Sequence, residues 1–340
     1  MIDVIIIGAG IAGIDTACNL HDAGYDVLVL EKEKSMGGNV QHWSTLFPSK
    51  RNAHEVISYY TEQVRKRGIT MYLNTFVNSI KKQDDGSFEI HTSREVSFKC
   101  KSVIIATGYS LFNAQRKEEY GYGIYSHVLT SADLEKHWQK QSAEFVSPTQ
   151  KPLNKVAFIH CVGSRDEKSG NHYCSKVCCV TAVKQAITLK QQSPHTQVFC
   201  FYMDLRMYGP GFEEMYREAQ EKWGIQFIRG RLSEVAEHID GSLQLKAEDT
   251  LSARPFKISV DMLVLMVGME SQKSTAMFAE SCNITCASNR FIQPLDHHLQ
   301  PNATNVEGLF TAGACIGPLS VFDTLNHSKS ATLAVTSYLK

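Results

Sequence analysis

Strand-length apolar runs alternate with stretches of helical period along most of the chain, the pattern of a parallel α/β protein. Ile2 to Ile7 predicts a buried strand, the following residues a helix to about Ala23, and Asp26 to Leu30 a second strand, which together make a βαβ unit. A β-meander is expected from about Phe76 to Cys100, with the apolar Val103-Ile104-Ile105 continuing from it. Farther on, strands are predicted near Val156 to His160, Gln197 to Tyr202, Ile225 to Ile228 and Met262 to Met266, and helices near Cys174 to Lys190 and Gly211 to Trp223. A last helix begins after Gly317-Pro318 and runs towards Leu339. No repeat or low-complexity segment interrupts the pattern, and Ser147-Pro148-Thr149-Gln150-Lys151-Pro152 is the linker-like stretch.

Composition narrows the class. With 340 residues and 43% hydrophobic content the chain can bury more than one core, since domains run to about 100 to 200 residues. Lys+Arg and Asp+Glu balance at 35 each, so no basic excess points to nucleic acid and no acidic tail to a basic partner. The apolar runs fall short of the roughly 20 residues that span a bilayer. Met1 to Gly8 lacks a basic leader or a cleavage site and passes directly into a glycine motif, so a cytoplasmic protein is expected. Ten cysteines without secretory features argue for metal, cluster or redox use more than for a disulfide scaffold.

The first βαβ unit carries chemistry. Gly8, Gly10 and Gly13 stand in a G-x-G-x-x-G between strand and helix. Their spacing suits a tight turn, close approach of backbone to a pyrophosphate, and helix-on-strand packing, while Glu31 ends the second strand where ribose hydroxyls would lie. Six residues on, Gly37-Gly38-Asn39 adds a glycine pair. Here the sequence resembles the two-dinucleotide-binding-domain flavoproteins, in which such a pair lies beside the FAD pyrophosphate. Ala106-Thr107-Gly108 resembles the segment that returns the chain to the FAD domain in that family, and Asn305 to Gly313 resembles its final FAD strand.

The resemblance implies an α/β fold of the glutathione/thioredoxin reductase kind, a FAD Rossmann domain with an inserted second Rossmann-like domain. The expected division is 1–116 and 271–340 for the FAD domain and 117–270 for the insertion. It also implies FAD contacts from Lys32, Val77, Gly313 and Ala314 beside the residues already named. The family usually places Asp after the last glycine, whereas this chain has Ala314-Cys315. Cys315 is therefore a candidate thiol beside the flavin, with a small buried cysteine as the alternative. His297-His298, just before the last strand, is a second flavin-side candidate, while His42 and His172 read as surface or satisfied histidines.

The inserted domain departs from the expected dinucleotide site. After its first strand, where a second glycine motif would hold NAD(P)H, the chain reads Cys161-Val162-Gly163-Ser164-Arg165-Asp166. Arg165 could meet an anion, but a solvated or salt-bridged arginine is the preferred reading. Cys161, Cys174, Cys178 and Cys179 form C-x12-C-x3-C-C. With Cys174 and Cys178 on one face of the predicted helix and Cys161 at the strand end, the set can be read as an iron–sulfur site, a zinc site, a redox dithiol or packing residues. The cluster is favoured, because paired C-x2-C chelates and the dithiol spacings of flavoprotein disulfide reductases are missing here. Cys282 and Cys286 read as packing residues, and Cys18, Cys100 and Cys200 as core.

Further stretches are similar to the heterodisulfide reductase family, in its flavin and iron–sulfur subunit: Cys161 to Glu167, Tyr173 to Cys179, Tyr120 to Gly123, Arg206 to Tyr216, Phe227 to Arg231, and Gly313 to Pro318. The resemblance implies that Cys161, Cys174, Cys178 and Cys179 bind a [4Fe–4S] cluster. The long members of the family carry an additional N-terminal domain, cysteines soon after the glycine pair and a ferredoxin module. This chain reads Phe47-Pro48-Ser49-Lys50-Arg51-Asn52 instead, and resembles the short form found in sulfur-oxidising heterodisulfide reductase-like complexes. The implied function is an FAD and [4Fe–4S] electron-transfer subunit, working with partner subunits in thiol/disulfide or sulfur oxidation. Its implied partners are those subunits, a sulfur- or lipoate-carrying protein, and a second copy of the chain. The competing readings are a self-contained NAD(P)H-dependent disulfide or quinone reductase and a zinc-stabilised, non-enzymatic flavin-binding scaffold.

Overall fold

The computed structural model describes residues 1–140 and 153–340; the linker-like stretch Ser147 to Pro152 lies outside them. The chain forms two compact units. One comprises Met1–Gln41, Ala53–Ser110 and Glu270–Lys340, and the other His42–Asn52 and Leu111–Met269.

The first unit opens with β1 (Ile2–Ile7), α1 (Ile11–Asp22) and β2 (Val27–Leu30), followed by α2 (Ala53–Arg67) and β3 (Thr70–Tyr72). The predicted meander is β4 (Val77–Lys82), β5 (Phe88–Thr92) and β6 (Ser97–Ile105). Parallel strands β3, β2, β1 and β6 lie side by side, and β5 and β4 extend the sheet from β6 in antiparallel pairing. β1 is central, with Ile6 beside Val29 on one side and Ile104 on the other. A central parallel strand is covered on both faces, which is why Val4, Ile5 and Ile6 are fully buried and the run is continuously apolar.

The second unit begins with β7 (Val128–Thr130) and α3 (Ser131–Lys140) and continues with β8 (Lys155–Val162), α4 (Cys178–Gln192), β9 (Gln197–Tyr202), α5 (Phe212–Glu221) and β10 (Gln226–Arg229). Then come β11 (Leu232–Glu237), β12 (Leu243–Asp249), β13 (Arg254–Val260) and β14 (Met262–Val267). The parallel sheet runs β7-β14-β8-β9-β10, and β11-β12-β13 is a separate antiparallel sheet. Alternation along β8 separates two cores. Val156 and Phe158 share one with Val183 and Ile187 of α4, whereas Ala157 and Ile159 share the other with Leu243 and Leu245 of β12.

The chain returns to the first unit with α6 (Lys273–Cys282), β15 (Leu309–Thr311), parallel to β6, and α7 (Val321–Leu339). A capping box starts α7: Ser320 Oγ accepts from the Asp323 amide and the Asp323 carboxylate accepts from the Ser320 amide.

Two expectations are corrected. Residues 42–52, placed in the first unit by the sequence reading, cluster with the second, where Phe47 stacks edge-on against Phe212 at 5.6 Å between centroids. The helix expected from Cys174 starts at Cys178, because Lys176 adopts a left-handed φ of 58° that no α-helix continues through. Cys174 and Cys178 therefore do not share a helical face. No described helix is long and apolar enough to cross a membrane.

Candidate functional site

In the first unit the glycines are explained by what a side chain would strike. A Cβ on Gly8 would lie 2.5 Å from the Ala106 carbonyl oxygen, and one on Gly13 would lie 2.0 Å from that of Gly8. A Cβ on Gly10 would meet nothing nearer than the Gly38 Cα, at 4.0 Å. Gly10 is thus open on the side where the α1 amides emerge. The Gly37 amide donates to the Ala9 carbonyl at 2.7 Å, and a Cβ on Gly38 would come within 3.0 Å of the Gly10 Cα. The two glycine groups therefore build one cradle. α1 has neither a side-chain cap nor an acidic residue in its first turn, leaving its amides and its positive end for an anion.

Glu31 is buried, and its carboxylate accepts from the Ala9 amide at 2.5 Å and the Glu33 amide at 2.9 Å. It fixes the turn and keeps further lone pairs for hydroxyl donors. Thr107 Oγ1 is buried without a hydrogen-bond partner, next to Gly108, which has a φ of 66° and open space where a Cβ would stand. An orphaned hydroxyl beside an open glycine cradle fits a polar ligand such as a dinucleotide. Asn39 donates to the Tyr109 carbonyl at 3.0 Å. Lys32 is exposed, and Val77 is a core side chain, so any ligand contact from Val77 would come from its backbone.

Gly313 has a φ of 75° and packs so near α1 that a Cβ would sit 2.6 Å from that of Ala12. Its amide donates to His327 Nδ1 at 2.9 Å, and His327 Nε2 lies 3.3 Å from the Pro301 carbonyl, which assigns the proton to Nε2. Burial lowers the His327 pKa, against the opposing Pro301 hydrogen bond, so the ring stays neutral and can accept. Sequence reasoning missed this histidine, because it lies in a helix rich in polar residues with no motif to single it out. Ala314 is buried beside it. Cys315 is fully buried with its thiol donating to the Ile105 carbonyl at 3.1 Å, and burial pushes its pKa up to about 12. That placement is the packing alternative of the two readings for Cys315. His297 and His298 are exposed, in a turn where Asp296 accepts from the His298 and Leu299 amides.

In the second unit the cysteines arise from two local features. Cys161 sits where the β8–β14 register shifts, between Ile159 and Val162, with a φ of 60°; such bulges re-aim a side chain. Cys178 and Cys179 open α4, and Cys174 lies in the preceding loop, where its sulfur accepts from the Lys176 amide at 3.3 Å. The Cys179 thiol donates to the Asp204 carbonyl at 3.7 Å. None of the ten cysteines is in a disulfide.

These thiols are close enough to act on one another. Burial, then the neighbouring Cys179 and Cys174, pushes the Cys161 pKa up to about 12. Burial, then Cys161, Cys179 and Cys174, raises Cys178 well above the usual thiol range. Cys179 is raised mainly by burial, against an opposing hydrogen bond from the Arg206 backbone. Among the described residues no three or more His, Cys, Asp or Glu side chains are gathered tightly enough for one metal ion. A zinc ion draws thiolates to about 2.3 Å, whereas a cubane gives each its own iron and spaces them wider. The donor set, four cysteines from the end of β8, the loop after it and the start of α4, is chemically of the kind that ligates iron–sulfur centres. Arg165 is salt-bridged as expected, its Nη2 2.7 Å from Asp204 Oδ2.

Other cysteines serve the cores: Cys100 and Cys200 are fully buried, Cys18 and Cys282 nearly so, and Cys286 partly. His160, beside Cys161, is buried with both ring nitrogens unpartnered, and burial lowers its pKa to about 4.

Comparison with known proteins gives a family match described as pyridine nucleotide-disulphide oxidoreductase, over residues 2–111 and 179–337. The unmatched stretch between them holds Cys161, Cys174 and Cys178. The chain is 30% identical to an iron–sulfur subunit of the CoB–CoM heterodisulfide reductase of Methanocaldococcus jannaschii, over 98% of its own length and 63% of the relative's. It is 37% identical over 242 residues to a subunit of the H2:CoB–CoM heterodisulfide,ferredoxin reductase of Methanothermobacter thermautotrophicus, covering 70% of this chain and 37% of that one. It thus spans about three fifths, or less, of the curated relatives it matches. Among solved structures, thioredoxin reductase from Lactococcus lactis aligns with a TM-score of 0.71 at 19% identity, over 100% of this chain and 99% of that one. Bacillithiol disulfide reductase from Staphylococcus aureus aligns with a TM-score of 0.64 at 17% identity, over 99% and 98%. These likenesses support the two-dinucleotide-binding-domain flavoprotein fold.

Proposed function

The chain belongs to the pyridine nucleotide-disulphide oxidoreductase family, and from that premise we propose that it is an FAD and [4Fe–4S] electron-transfer subunit of a heterodisulfide reductase-like complex. The observation that carries this reading is the placement of four cysteines at the end of β8, in the loop after it and at the start of α4, where a pyridine-nucleotide-binding unit would place its phosphate cradle. The names of the relatives supply the complex.

In this reading Gly8, Gly10, Gly13, Gly37 and Gly38 let backbone approach the FAD pyrophosphate, and the α1 amides donate to it. Glu31 accepts from ribose hydroxyls while holding the Ala9 amide. Thr107, Gly108, Gly313 and Ala314 line the flavin end, with Lys32, Asn39 and the Val77 backbone as further contacts. His327 fixes the Gly313 turn through its Nδ1. Cys161, Cys174, Cys178 and Cys179 hold the cluster as thiolates. When bound, FAD and cluster supply exchange between paired and single electrons. Thiol, disulfide or protein-bound sulfur chemistry, as in sulfur oxidation, belongs to partner subunits and a sulfur- or lipoate-carrying protein. A cytoplasmic location and a homodimer within the complex complete the proposal.

Replacing Cys178 with Ala tests it. The variant should purify with FAD and without its iron and acid-labile sulfide, whereas full retention of both would remove the cluster assignment. The family description favours a second reading, an NAD(P)H-dependent disulfide or quinone reductase. That reading requires NAD(P)H alone to bleach the flavin of the isolated chain.

A further inference from the structure

Arg165 does more than pair with Asp204. It lies four residues beyond Cys161 with a left-handed φ of 53°, a conformation that is sterically unfavourable for a non-glycine residue. The surrounding loop holds it there. Its amide donates to the Tyr173 carbonyl at 2.9 Å, Asp166 and Asn171 exchange backbone bonds at 3.0 and 3.2 Å, and Asn171 Nδ2 donates to the Gly163 carbonyl at 2.9 Å.

The guanidinium is held in the same way. Nη2 donates to Asp204 Oδ2 at 2.7 Å, and Asp204 Oδ1 accepts from Arg229 Nη2 at 3.3 Å. The Asp204 carbonyl receives the Cys179 thiol, so the residue that anchors Arg165 also touches the cysteine group. Nη1 is buried with no hydrogen-bond partner. A positive donor pinned by one arm, with the other left over, stands just past the turn that joins the Ser164 amide to the Cys161 carbonyl at 3.3 Å, and is tied to the residue whose carbonyl meets the Cys179 thiol. Ser164, next to it, is fully buried with an unpartnered hydroxyl.

We propose that Arg165, positioned by Asp204, sets the reduction potential of the centre held by Cys161, Cys174, Cys178 and Cys179 by stabilising its more negative, reduced state. The inference rests on the cluster reading above. One-electron reduction adds a negative charge to a site already ligated by four thiolates. A fixed cation and its hydrogen bonds favour that charge and raise the potential, and a fixed anion lowers it.

The test is an anaerobic redox titration of the full chain, followed by electron paramagnetic resonance, for the wild type, R165Q, R165K and D204N. R165Q should lower the reduced-to-oxidised ratio at a fixed potential at least tenfold, which for a one-electron couple is about 59 mV. R165K, which keeps the charge, should fall between R165Q and the wild type. D204N, which frees the guanidinium from its anchor, should lower the ratio as well, by less than R165Q. A loss of packing alone would not leave R165K nearer to the wild type than R165Q. An unchanged potential in R165Q, or an R165K shifted as far as R165Q, overturns the proposal. If R165Q fails to assemble the centre, an unshifted D204N overturns it alone. A wild-type chain without iron and sulfide refutes the cluster reading instead, so the two failures are distinguishable.

Discussion

Gly10 and Gly13 belong to one motif and do different physical jobs. Alanine at Gly13 would drive a methyl to 2.0 Å from the Gly8 carbonyl, and overpacking of this kind costs about 1–3 kcal/mol. Alanine at Gly10 meets open space and an allowed backbone, so the fold should lose about 1 kcal/mol or less. The added methyl nevertheless occupies the phosphate side of the cradle. Gly10→Ala should therefore keep a near wild-type urea midpoint and bind FAD at least tenfold more weakly by calorimetry, while Gly13→Ala should lower the midpoint itself. Wild-type FAD affinity in Gly10→Ala would contradict the cradle. The glycines were legible because their spacing is local. Cys161 was legible as a strand end, but its bulge depends on β14, more than 100 residues away in sequence, and could not be read from β8.

Among the elements, periodicity located most of the parallel strands and failed where tertiary contacts decide. The helix α2 was not predicted because it buries little besides Ala53 and Tyr60. Segment 42–52 has no period, and it is held to the second unit by a buried ion pair from elsewhere. Lys184 Nζ reaches Glu135 at 2.5 Å and the Thr45 carbonyl at 2.9 Å, and Glu135 also accepts from the Ser44 amide. Other signals were present and unused. Thr130 and Asp133 form a capping pair at the start of α3, and β12 and β13 alternate apolar and polar positions.

Lys184→Met would leave the fully buried Glu135 without its countercharge, and breaking such a pair costs about 3–5 kcal/mol. Adding Glu135→Gln should recover part of that loss in urea unfolding. Burial raises the Glu135 pKa, but Lys184, Gln185 and Ser44 together outweigh it and hold the carboxyl below its ordinary value of 4.5. Its folded-state pKa is depressed, so its stabilisation is complete above that value and is lost as pH falls through the folded pKa. The double variant should lack this acid-side component. An equal pH dependence in wild type and double variant would refute the role given to the pair.

For the whole molecule, the family match and the fold identify an oxidoreductase of the two-dinucleotide-binding-domain kind. What distinguishes this chain within that fold is chemistry in place of a motif: thiols and Arg165 follow β8 where a glycine cradle would receive NAD(P)H. The most direct test is to purify the full chain under anaerobic conditions and measure flavin, iron, zinc and acid-labile sulfide together. The account predicts about four irons and four sulfides per FAD, the stoichiometry of one cubane, with negligible zinc. FAD accompanied by zinc, or by neither metal nor sulfide, would contradict it.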